Sequence, residues 1–141
     1  MQVASSFEVN DPTYPLHILI ATQGSDFKDS VVSNVINNLK SNPLYIKIID
    51  VSELSSIKEE EWTSMIILHT WEYSKPQQDA KDFIERIKDK NKLIVLTTSG
   101  EGSFKINGID GITSASKPAD ITNNSKEITR RVNDLLKTQE K

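Results

Sequence analysis

Three short stretches carry residues that could do chemistry. The first, "TQGSDFK", holds Thr22, Gly24 and Ser25 as hydrogen-bond donors with Lys28 close behind them. Where such a turn feeds a helix, the first helical amides are unpaired and the helix dipole favours an anion, so the stretch reads as a phosphate seat. A second reading stands beside it: Asp26 and Asp29 repel phosphate and can cap the helix themselves. The second stretch, "HTWEYSKP", sets His69, Trp71 and Tyr73 at alternating positions just past an apolar run. Rings placed there can stack on a planar ligand, or one can pack on the core while the other covers a loop. The third, "TTSGEGSF", combines Thr98 and Ser99 with Gly100 and Gly102. Its glycines let a ligand approach the backbone closely, and they serve an ordinary tight turn equally well.

Other chemistries find little footing. The chain has no Cys, which removes disulfides, thiolate metal sites and Cys nucleophiles. His17 and His69 are its only histidines, too far apart in sequence to read as a metal pair, so no metal is expected. No nucleophile-elbow sequence supports a hydrolytic triad, and no catalytic residue is assigned. The net charge is -3 and the sole adjacent basic pair is Arg130–Arg131, which argues against a nucleic-acid binder. No apolar run has the length of a membrane span. The compartment is expected to be the cytoplasm by default; alternatively, the polar start "MQVASSFEVNDPTYP" is what remains after an export signal or anchor is trimmed.

The elements that must position these stretches follow from periodicity. With 141 residues, 36% hydrophobic and 26% charged, the chain has the size and composition of one globular domain. Residues 1–15 read as a flexible N-terminal extension and residues 16–141 as the domain. "LHILIA" predicts a strand, followed by a helix from Lys28 to Lys40 with Val31, Val32, Val35, Ile36 and Leu39 on one stripe. "YIKIIDV" is a second strand, with a short acidic helical piece after it from Ser52. "SMIILHTW" and "KLIVLTT" are buried strands flanking a helix from Pro76 to Lys88. The glycine-rich link after them reads as a loop, "GITSAS" as a short fifth strand, and the C-terminal segment as a helix capped by Asn124 or Ser125. Strands alternating with helices imply a three-layer, doubly wound, five-stranded parallel sheet in the order 2-1-3-4-5. In such a sheet the three chemically suggestive stretches meet beyond the C-terminal strand ends, where ligands bind.

Over Leu16 to Lys137 these residues resemble the flavodoxin-like family. "ILIATQGSDFKDSVVSNVI" is similar to that family's first strand, phosphate loop and first helix, and "SMIILHTWEYSKPQQDAKDFIERI" to its third strand, aromatic loop and next helix. The resemblance implies noncovalent FMN and electron transfer. It places Thr22, Gly24, Ser25 and Lys28 at the phosphate, Trp71 and Tyr73 beside the isoalloxazine ring, and Thr98–Gly102 at the ring's polar edge. The hydroxyl-rich family loop is matched only through "TQGS", with Asp26 and Phe27 following, so FMN affinity is expected to be weak or absent. "GIDGITSASKPAD" resembles the last strand and Lys-Pro turn of receiver domains, with Lys117-Pro118. His69 stands where their phosphoacceptor Asp belongs, and the first strand ends in Ala21-Thr22 instead of an acidic pair. The alternative expectation is therefore a noncatalytic protein-binding or pseudo-receiver domain without cofactor.

Overall fold

The computed structural model describes residues 4–71, 77–99 and 111–139. Its centre is a six-stranded sheet built from β1 (Phe7–Val9), β2 (Leu16–Thr22), β3 (Leu44–Asp50), β4 (Ser64–Thr70), β5 (Leu93–Thr98) and β6 (Ile112–Ser114), ordered β1-β3-β2-β4-β5-β6. β2 to β6 pair in parallel, and β1 pairs antiparallel with β3. The five-stranded order expected from sequence is corrected by this sixth strand. β1 arises within the segment read as a flexible extension, where its three residues "FEV" are too few to announce a strand by alternation.

What holds β1 in place is side-chain bonding at both ends. Asn10 adopts a left-handed backbone (φ 68°), which Asn tolerates better than most residues, and its Nδ2 donates to the Lys40 and Leu44 carbonyls at 2.9 Å each. Upstream, the Ala4 amide donates to Asp50 Oδ1 at 2.9 Å. In the middle, the Tyr45 hydroxyl donates to the Glu8 carboxylate, and burial together with that bond pushes the phenol up to about 12.

Alternation along the strands gives the sheet two buried faces. Helices α1 (Asp26–Leu39) and α3 (Ile121–Gln139) cover one, packing Val31, Val35, Ile128 and Val132 over Ile18, Ile20, Ile66 and Ile94. Helix α2 (Gln78–Arg86) and the 3₁₀ turn Val51–Ser56 cover the other, setting Phe83, Ile84 and Leu54 over Leu19, Met65, Ile67 and Val95. Both faces being covered explains why β4 and β5 are almost unbroken apolar runs.

Helix boundaries shift for local reasons. α1 begins at Asp26, two residues before the expected Lys28, because Ser25 is the N-cap. α2 begins at Gln78, where the Gln77 side chain caps the Ala80 amide at 2.7 Å; the expected start, Pro76, lies outside the described residues. α2 also ends at Arg86, with the buried Ile87 already extended. Asn124 and Ser125 do not cap α3. The helix starts at Ile121 behind a 3₁₀ turn over Pro118–Asp120, and Ser125 Oγ donates back to the Ile121 carbonyl at 2.7 Å. No described helix is long and apolar enough to cross a membrane.

Candidate functional site

Every parallel strand ends in a polar residue: Thr22 on β2, Asp50 on β3, Thr70 on β4, Thr98 on β5 and Ser114 on β6. The C-terminal edge of the sheet is thus a row of hydroxyls with one carboxylate. Asp50 is committed to structure. Burial pushes its carboxyl up, but bonds from the Ser52 side chain and from the Ala4 and Ser52 amides outweigh that and hold it below the usual value.

Lys28 departs from a surface lysine in every respect. It lies on the same stripe of α1 as Val31, Val32 and Val35, and only 3% of it is exposed. Its Nζ donates to Thr70 Oγ1 at 2.6 Å, Thr70 Oγ1 lies 3.1 Å from Thr98 Oγ1, and Thr98 Oγ1 donates to the His69 carbonyl at 3.3 Å. A lysine donates only, so Thr70 Oγ1 accepts from the ammonium, while either hydroxyl can be the donor between Thr70 and Thr98. Thr70 and Thr98 face the α1 side of the sheet; their neighbours His69 and Thr97 face the α2 side, as strand alternation requires.

On that other face, His69 is 0% exposed and shares a 2.9 Å hydrogen bond between its Nε2 and Thr97 Oγ1. Its Nδ1 is buried with no hydrogen-bond partner among the described residues. Burial pushes the imidazole down from 6.5 to about 4, and the Lys28 charge adds to the shift, so His69 is neutral near pH 7.

Further bonds tie the loops above the strands to one another. The Gln23 amide donates to the Leu68 carbonyl at 3.1 Å, while Gln23 Oε1 accepts from the Thr70 amide at 2.5 Å. The Trp71 amide donates to the Thr98 carbonyl at 2.7 Å, leaving the indole half-buried, and the Ser99 amide donates to the Ser114 carbonyl at 3.0 Å. Ser25 Oγ accepts from the Lys28 amide at 3.1 Å, so the cap of α1 is Ser25 itself, and Asp26 and Asp29 stand exposed in the first turn. Thr22 and Gly24 are buried, with Thr22 Oγ1 donating to the Gln23 carbonyl at 3.1 Å.

Comparison with known proteins adds little. No family model and no curated protein matches the chain. Among solved structures it is similar to the X-ray structure of an oxidoreductase from Corynebacterium diphtheriae, with 14% identity and a TM-score of 0.48, covering 87% of this chain and 96% of that one.

Of the residues singled out by sequence, Lys28, His69 and Thr98 join one polar chain, with Trp71 and Ser99 bonded to its neighbours. Thr22, Gly24 and Ser25 form the adjoining turn. Tyr73, Gly100 and Gly102 lie outside the described residues. Lys28 was expected at the phosphate; in the structure its ammonium donates to Thr70. Thr70 and Gln23 were not singled out by the sequence reading. For Lys28 a signal existed: three and four residues before Val31 and Val32, it continues the apolar stripe inward. Among the described residues no group of three His, Asp or Glu side chains could hold a metal ion.

Proposed function

We propose that the protein is a flavodoxin-like module that binds FMN weakly at the C-terminal edge of its sheet and serves electron transfer. The observation that carries this reading is the bonding of the loops to one another, Gln23 to Thr70 and Trp71 to Thr98, together with a Trp71 that is only half-buried. A site already held in its binding arrangement loses less on ordering when a planar ligand arrives. In this reading Trp71 supplies the stacking face, Thr22, Gly24 and Ser25 meet the phosphate, and Thr98 and Ser99 meet polar groups of the ring. FMN, when bound, supplies the one- and two-electron chemistry; the chain's own residues position it and keep water from its buried side.

Titration of the purified protein into FMN, read by flavin fluorescence, tests the proposal. Saturable quenching that Trp71→Ala weakens is the expected result. An unchanged signal at high micromolar FMN overturns it.

The second reading, a noncatalytic protein-binding or pseudo-receiver domain, draws support from groups that an anion would need. Ser25 Oγ already accepts the Lys28 amide, and Lys28 Nζ already donates to Thr70. Under this reading FMN fails to bind and the same edge, or the helix faces, meets a protein.

A further inference from the structure

The first loop has two sides. On one, Lys28 reaches into the sheet; on the other, a cavity of about 330 Å³ opens between the N-terminal segment and α1. Its size falls within the ordinary range for small-molecule sites, roughly 300 to 1,000 Å³. Val32 and Ile48 give it an apolar floor, and the ring of Phe7, 47% exposed, forms one wall. Thr22 and Ser33 add hydroxyls. Asp29, exposed in the first turn of α1, is the single charged side chain among the described lining residues.

These properties select a ligand. A carboxylate with no basic group among the described lining residues disfavours phosphates and carboxylates. An ammonium suits it: the carboxylate accepts a charge-assisted hydrogen bond, hydroxyl oxygens accept its remaining hydrogens, and an aromatic face attracts the cation. The apolar floor then takes a hydrocarbon body. Asp29, Val32 and Ser33, spaced three and four apart, present carboxylate, floor and hydroxyl from one face of α1. We propose that this cavity is a second binding site, one for a small organic amine in its cationic form.

The cavity depends on β1. Its outer wall is Phe7, held by the Phe7–Ile48 register and by the Ala4 amide on Asp50. This inference does not rest on FMN binding, because it uses a ligand of opposite charge held by Asp29, Phe7, Val32 and Ser33; Thr22 and Gly24 are shared with the proposed phosphate seat.

The test uses phenethylammonium chloride as probe and 3-phenylpropanoate as its oppositely charged counterpart, each followed by amide chemical shifts of the whole chain. The amine is expected to give saturable millimolar shifts centred on Gly24, Val32 and Ser33, and the acid none there. Asp29→Asn, at an exposed position, should weaken the amine by about five- to tenfold, the size of one charge-assisted contact; Phe7→Ala should weaken it by a smaller factor. Equal binding of amine and acid, unchanged affinity in Asp29→Asn, or no saturable shift at tens of millimolar would each overturn the proposal.

Discussion

His69 makes stability depend on pH in a window where most proteins are insensitive. The unfolded imidazole titrates near 6.5, and burial, helped by the Lys28 charge, brings the folded value to about 4. Between these values the unfolded chain binds the proton and the folded chain does not, so folding loses stability as pH falls. The contribution is fully present above 6.5, is lost progressively down to 4, and changes no further below that. The shift of 6.5 minus 4, at about 1.4 kcal/mol per unit, amounts to roughly 3 to 4 kcal/mol in total. Roughly 2 kcal/mol of it is gone by pH 5. Urea unfolding of the protein and of His69→Gln at pH 7, 6 and 5 isolates this part, because carboxylates such as Asp50 contribute equally to both chains. The difference in unfolding free energy should shrink towards low pH by about that amount. Parallel pH profiles for the two proteins would refute the reasoning. Should the variant fail to fold, the imidazole carbon-bound proton signals of His69 serve instead: they should stay unshifted from pH 7.5 to 5, and Lys28→Met should raise their titration midpoint.

Two structural predictions accompany it. Ser25→Ala removes the side-chain acceptor for the Lys28 amide and should cost about 1 kcal/mol in chemical unfolding, with Ser25→Asp retaining most of the stability. Asn10→Ala removes two bonds to the carbonyls of Lys40 and Leu44 and places a side chain unsuited to a positive φ there, at a cost of roughly 2 kcal/mol. A thermal unfolding midpoint unchanged by Asn10→Ala would mean that β1 does not depend on this latch.

The strands buried on both faces were legible in the sequence because continuous apolar residues such as Met65 to Leu68 admit few other placements. α1 was legible from its stripe of Val and Ile, yet its first turn was not: Ser25, taken as a phosphate donor, is the cap, and cap and anion seat ask for the same residue types at the same place. β1 was illegible because its stability comes from bonds to Lys40, Leu44, Tyr45 and Asp50, partners remote in sequence. The polar chain at the candidate site was half legible. His69 and Thr98 stand at the ends of recognisable strands, but their linkage through Thr70 to Lys28 depends on which way one lysine turns. Only packing decides that.

The pairing of β1 with β3 bears on how the chain is made. Ala4 and Asp50, 46 residues apart, are joined in the folded state, so β1 leaves the ribosome with no strand to dock against until β3 has followed it out. During that interval Phe7 and Val9 have no sheet to cover them, and closing so long a loop is slower than forming α1 locally. β1 is therefore fastened only after β3, the strand it must join, and protease cleavage near Phe7 during refolding would report when that happens.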